Sequence, residues 1–396
     1  MSQVYNLQQE FKLLKKRAIY LDANANYPLC LGIKNNLERF ILGCQSNPSS
    51  IHWHGRESKR ILAASREAIA VSLGIANQSE QLCFTSSGTE SNQLVIRSVL
   101  EPLCLAGKSP HWITTTVEHD SVLQMTKWCQ DKGIQVSFLP VDKNGIPVVS
   151  ALDELIKQET VLLSTLWVNN ETGVITPLEK FEPYLSGKNI YWHVDAVQAW
   201  GKIKINLKEL GADFVTFSSH KIGGLMGNGI LWHDAIISPL ILGYQEKGCR
   251  GGTENLLGIY AAGLAAEDIN LTDFTAKVLP LRERLQSEIC KRIPDVIING
   301  EGVSRIANTL SISFDNIDSE SLVIALDIEG FSLSAGSACS SGTLKPSHVL
   351  LAMGRSKAHA LASLRISLSC SNTWNELEKF INILELVVKR IREPKE

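Results

Sequence analysis

Between residues 81 and 233 the chain repeats one unit: a short apolar run, a few small or polar residues, then a helical stretch. Residues 81–85, 111–116, 134–139, 161–167, 190–194, 213–217 and 229–233 read as strands. Residues 91–101, 121–132, 151–158 and 177–185 carry helical patterns between them, and residues 57–73 carry one before the first. Such alternation constrains the fold to α/β: a mainly parallel sheet with helices on both faces. Corresponding ends of parallel strands open on one crevice, where ligands of open α/β sheets bind. The polar residues fall at those ends. VEHD (His119), VNNETG (Asn170), HVDAVQ (Asp195, Gln198) and SSHK (Ser218, His220, Lys221) each follow an apolar run.

Two of these side chains suggest a chemistry. An amine held in a cleft, here Lys221, can form a Schiff base with a carbonyl cofactor. A carboxylate such as Asp195 can keep a pyridine nitrogen protonated, and pyridoxal phosphate requires both. Taken singly, Lys221 reads as a surface lysine after a core strand, Asp195 as a helix cap and His119 as a satisfied core histidine. The stretch FTSSGTESN adds an anion site, because free N–H groups at a helix start stand beside Ser87, Gly88 and Thr89. The helix-end field supplies only about 0.3–1 kcal/mol, so a phosphate needs further donors. An ordinary capping box would read the same way.

A second stretch, SLSAGSACSSGTLKPSHVL, surrounds Cys339 with Ser, Gly and Ala. Few side chains there can anchor it to a core, so a mobile loop is expected. A thiol on such a loop can visit a buried substrate; the alternative is a linker with an incidental cysteine. A reactive Cys339 needs a base or cation nearby, and His119 and His348 are candidates.

The chain's 396 residues suit two domains. The pattern places a large one at 31–274 and a smaller α/β one at 275–396, joined by residues 1–30. A helical region from 255 to 292 contains Pro280, where a break is expected, and residues 1–17 read as a polar helix. A net charge of −2 argues against nucleic acid as a direct partner. Nine cysteines without a CxxC pair suggest a reducing compartment and no metal. With no membrane-length apolar run and no signal-like N-terminus, the cytoplasm is expected.

In order and spacing, NPSS, FTSSGTESN, VEHDSV, VNNETGV, HVDAVQAWGK, FSSHKIGG, RGGTEN, SAGSACSSGTLKPSHVLLAMG and LRISLS resemble the pyridoxal-phosphate cysteine desulfurases, in the branch with the long cysteine loop. The resemblance runs from about residue 19 to 392. It implies a fold-type I aminotransferase-like homodimer, with a seven-stranded, mainly parallel large sheet and pyridoxal 5′-phosphate as cofactor. Lys221 would hold the cofactor aldehyde and move protons at Cα. Asp195 would pair with the ring nitrogen, Gln198 with the phenolic oxygen, and His119 would stack on the ring and share in proton transfer. Gly88, Thr89, Ser218 and His220 would take the phosphate, with Thr253 from the partner subunit. Asn170 would orient cofactor or substrate, and Arg365 would fork onto the substrate carboxylate. L-cysteine would become L-alanine, leaving a persulfide on Cys339 for a sulfur-acceptor protein.

Two departures stand out. Asn26 and Tyr27 occupy places where the family usually shows a threonine pair, and Gly224–Gly227 lacks a Pro-Lys. The sequence ends soon after its last expected helix, which leaves the acceptor open among an iron–sulfur scaffold, tRNA thiolation and DNA sulfur modification. Rival readings are a selenocysteine lyase, another class-V aminotransferase-like enzyme, or a non-catalytic sulfur-carrier platform.

Overall fold

The computed structural model describes residues 18–43, 46–315, 317, 319–336 and 345–393. The expected helix at 1–17 and Cys339 lie outside them. Strands in chain order are β1 (Ile19–Tyr20), β2 (Leu82–Thr85), β3 (His111–Thr115), β4 (Gln135–Leu139), β5 (Thr160–Leu166), β6 (Tyr191–Asp195), β7 (Phe214–Ser218), β8 (Gly229–His233), β9 (Val296–Ile298), β10 (Thr309–Phe314), β11 (Phe331–Ser332), β12 (Ser334–Ala335) and β13 (Ser363–Ser367). The longer helices are α1 (Leu31–Gly43), α2 (Trp53–Ser72), α3 (Gly88–Leu105), α4 (Asp120–Asp131), α5 (Leu256–Glu267), α6 (Leu271–Arg292), α7 (Ser319–Ile328) and α8 (Trp374–Arg392).

Seven strands form the large sheet in the order β2-β8-β7-β6-β5-β3-β4. The run β7-β6-β5-β3-β4 is parallel; β8 is antiparallel to both β7 and β2. Strand β2 therefore points the same way as the parallel run. The carboxyl ends of β2, β3, β5, β6 and β7 share one edge, as the alternating pattern predicts. The inner strands β3 and β7, and the covered edge strand β2, are buried at every position, which is why they read as continuous apolar runs.

A second core gathers Leu21 with residues from Phe274 to Val388. It surrounds the four-stranded antiparallel sheet β12-β13-β10-β9. The N-terminal segment joins this part: β1 pairs with β11, and Asp22 bridges to Ser367. Helix α8 has a full capping box, Thr373 with Glu376.

The expected break at Pro280 falls elsewhere. The chain turns at residues 268–270, where the Asn270 side chain caps α6 by accepting from Asp273 N. Pro280 sits inside α6. It is tolerated because both it and Ala276, whose carbonyl loses a partner, are exposed. Among the described residues no helix is long and apolar enough to cross a membrane.

Candidate active site

Strand β6 delivers Asp195, 2% exposed, to the shared edge. One carboxylate oxygen accepts from the Val197 N–H (3.0 Å), the other from Asn92 Nδ2 (2.7 Å). The same Asn92 amide donates to Ser121 Oγ (2.8 Å), which lies 2.8 Å from His119 Nδ1. His119 caps α4, its Nδ1 accepting from Ser121 N at 3.1 Å. The ring proton is thereby assigned to Nε2.

Strand β7 ends in a tight turn, Ser219–Lys221, that swings Lys221 to the same edge. Its Nζ donates to the carbonyls of Asn24 (2.7 Å) and Ala25 (2.8 Å). Gly223 follows at φ +92°, and a Cβ there would stand 2.8 Å from the Pro28 carbonyl. Burial first, then the Arg365 charge, pushes the Lys221 amine down to about 8, against the pull of Asp22 and Asp195. Ser218 Oγ lies 2.9 Å from His220 Nδ1. Burial, with Lys221 and Lys202, pushes that imidazole down to about 4, so it is neutral.

At the amino end of α3, Ser87 Oγ accepts from Glu90 N (3.1 Å), while Glu90 takes the Ser86 N–H (2.8 Å). Gly88 and Thr89 open the helix toward the cavity. Gln198 Nε2 donates to Asn24 O (2.9 Å). Arg365 Nη2 donates to Asp22 Oδ1 (2.8 Å) and Ser334 Oγ (3.0 Å), and Nη1 to the Asn170 carbonyl (3.1 Å).

One cavity of about 370 Å³ is lined by Gly88, Thr89, His119, Asn170, Asp195, Gln198, Ser218, His220, Lys221 and Arg365. Its size suits a small-molecule site, roughly 300–1,000 Å³. A larger hollow of about 500 Å³, beside Arg282 and Arg305, holds neither Lys221 nor Asp195. The chain's own Thr253 lines a separate cavity of about 200 Å³ with Ser86 and Arg250. Cys339 lies outside the described residues, but its flanks do not: Ser334 touches Arg365 and Asp22, and Ser347 Oγ donates to Glu171. His348 Nε2 is bonded to the Glu118 carbonyl (2.9 Å).

The aminotransferase class-V family model matches residues 19–380. The chain belongs to this family, in its cysteine desulfurase branch. A cysteine desulfurase IscS of Dictyoglomus turgidum is 37% identical over 95% of this chain and 96% of its own length. A solved NifS-like protein superposes with a TM-score of 0.87 at 32% identity, over 94% of this chain and all of that one. A second structure, SspA in complex with cysteine, gives 0.78 at 27% identity, over 90% and 100%.

The family's cofactor is pyridoxal 5′-phosphate, and the residues fit it. A buried carboxylate and a partly buried amine line one cavity. At Gly88 a Cβ would press within 2.9 Å of Val197 Cγ2, so the backbone approaches the cavity wall as closely as a phosphate cradle needs.

Several contributors escaped the sequence reading. Asn24, 1% exposed, ties Lys221 and Gln198 through its carbonyl and reaches Asn170 O (3.3 Å) and Thr309 Oγ1 (2.8 Å) with its amide. Asn92 orients Asp195, and Asp22 orients Arg365. Lys202, 5% exposed, contacts Gln198 Oε1; burial, then Lys221 and Arg365, pushes its amine well below the usual lysine range. Asn24 and Asp22 follow an apolar strand, the same signal that marked Asp195. Lys202 carried none, because a lysine after Gly201 reads as solvated. At the departures, Tyr27 N donates to His220 O (2.9 Å) and its hydroxyl accepts from Cys370 N (3.2 Å), fastening the N-terminal segment to the lysine turn.

Proposed function

We propose that this chain converts L-cysteine to L-alanine and carries the sulfur as a persulfide on Cys339 for delivery to an acceptor protein. The observation that carries the reading is Lys221, Asp195 and Arg365 lining one cavity. Pyridoxal phosphate, when bound, supplies the electron sink that makes the substrate Cα acidic. Asp195, held by Asn92 and Val197 N, keeps the ring nitrogen protonated. His220 and Ser218, with the first turn of α3, hold the phosphate. Gln198, its amide fixed by Asn24 and Lys202, would hydrogen-bond the phenolic oxygen. Arg365 takes the substrate carboxylate, exchanging its contact with Asp22 for it. The Lys221 amine, near 8 rather than the usual lysine value, is a base matched to neutral pH, and it moves the proton at Cα. Cys339 thiolate then attacks the substrate sulfur; the C–S bond breaks, alanine leaves, and the sulfur remains as Cys339–SSH.

The structure of SspA with cysteine supports the substrate assignment. We place the division between a larger part at 31–274 and a smaller part at 1–30 and 275–396, supported by the two cores. A homodimer completes the site with the partner's Thr253. Exposed Met226, Leu242 and Tyr244 beside this loop support it, Gly251 N bonding Ile241 O (2.7 Å) and Asn255 Nδ2 bonding Gly227 O (3.1 Å). The test is assay of alanine and sulfide after addition of L-cysteine to protein loaded with pyridoxal phosphate. Equal yields of the two are expected with a thiol reductant present; selenocysteine as the sole substrate would overturn the reading.

A further inference from the structure

Away from the cavity, at the edge of the large sheet, two thiols and an imidazole meet. Cys83 lies in the edge strand β2 opposite Leu231 of β8. Residues two apart in a strand share a face, so His233 stands on the Cys83 side. Cys249 packs onto the core that contains Cys83 and Leu231. Its Sγ is 3.7 Å from His233 Nε2, and His233 Nδ1 lies 2.9 Å from the Ala235 carbonyl. That carbonyl fixes the proton on Nδ1 and aims Nε2 at the sulfur. Cys83 and Cys249 share that core, and the Cys83 thiol donates to the Phe84 carbonyl at 3.9 Å.

The approach is built, not incidental. Glu246 and Lys247 adopt φ of +46° and +56°, turning the chain so that residue 249 faces β2. A clamp holds this turn: Glu246 takes Arg66 through both oxygens (2.7 and 3.0 Å) and the Phe84 N–H (2.9 Å).

Hydrogen bonds from Cys83 and His233 bring the Cys249 thiol down to about 5, with Lys247 assisting and burial opposing. His233 is pushed down by burial but held above its ordinary value by Cys249, the Ala235 carbonyl and Asp234. Cys83 moves the other way, raised by its bond to Cys249, by burial and by Glu246, with Arg66 opposing. The Cys249 thiol is thus held low and the Cys83 thiol high, the order expected of an attacking and a resolving cysteine.

We propose that Cys249 is a second reactive thiol centre, one that reduces hydroperoxides and is resolved by Cys83 into an intramolecular disulfide. The Cys249 thiolate attacks the peroxide oxygen, the O–O bond breaks, and the departing hydroxide takes a proton, leaving Cys249–SOH. Cys83 sulfur then attacks that sulfur; its own proton goes to the leaving hydroxide as water. Two thiols lose two electrons and one peroxide gains them, giving two waters. The disulfide ties β2 to the segment carrying Arg250, whose guanidinium pairs with Glu90 (3.0 Å) in the first turn of α3.

The test uses fully reduced, unmodified protein. Hydrogen peroxide is added at pH 6.5, free thiols are blocked, and a non-reducing digest is mapped by mass spectrometry. A Cys83–Cys249 linked peptide forms at least tenfold faster than Cys290, exposed and with its thiol raised, is oxidised. Cys83→Ala stops at a dimedone-reactive Cys249. Iodoacetamide labelling of Cys249 in unmodified protein stays flat from pH 8 to 6, where ordinary thiols lose about tenfold per unit, and His233→Asn restores that loss. Cys249 reacting no faster than Cys290, or a labelling profile that falls in parallel, overturns the proposal.

Discussion

At the residue scale the account rests on how burial and partners set each charge. Asp195 accepts from Asn92 on one oxygen and from Val197 N on the other, so its carboxylate is preorganised rather than recruited. Removing one partner of a buried charge pair costs about 3–5 kcal/mol. Asp195→Ala therefore raises the cofactor dissociation constant by at least two orders of magnitude, measured by equilibrium dialysis. Lys221 supplies a pH test. Its amine titrates near 8, so the rate at which apoprotein captures pyridoxal phosphate climbs from pH 6 and levels above about 8. A rise continuing toward 10 would mean an ordinary lysine. Cys339→Ser abolishes sulfide release while the absorbance of lysine-bound cofactor persists; retained turnover removes Cys339 from the scheme.

Elements do the positioning, and here the sequence was partly readable. Strand-end chemistry pointed to Asp195, Gln198, Ser218, His220 and Lys221, which line one cavity, because burial writes β6 and β7 as apolar runs that stop abruptly at polar residues. Helix α3 was legible from its cap. What escaped were residues that act through others: Asn92 sits in the second turn of α3 and reads as one more polar position, yet its amide fixes Asp195. The helix break was misread because Pro280 carries a strong sequence signal, whereas the Asn270 cap that ends the turn carries a weak one. Close approach of α3 to the strand ends makes Gly88→Ala informative. The added Cβ, 2.9 Å from Val197 Cγ2, forces that side chain into the cavity. Cofactor affinity is expected to drop about tenfold or more, with far-UV circular dichroism unchanged.

Across the whole molecule, pH acts through groups such as Glu118, which is 1% exposed and accepts from Thr115 Oγ1 (2.6 Å) and Leu166 N (2.8 Å). Burial pushes its carboxyl up to about 8. The folded state then holds a proton that the unfolded chain releases above about 4.5. Its stabilising contribution is complete below that pH and is lost as pH rises through 8. Glu118→Gln should flatten the decline of the melting temperature between pH 5 and 8, by no more than about 1.4 kcal/mol per pH unit. Assembly is tested by sedimentation equilibrium, where a dimer of twice 43.6 kDa is expected. The central claim, that one amine and one acid grip a single pyridoxal ring, has a more direct test. Protein loaded with pyridoxal phosphate is reduced with borohydride, digested and mapped for the pyridoxyl-phosphate mass. The account predicts the label on Lys221 alone; a label on Lys202, the buried lysine against Gln198, or no covalent label at all, contradicts it.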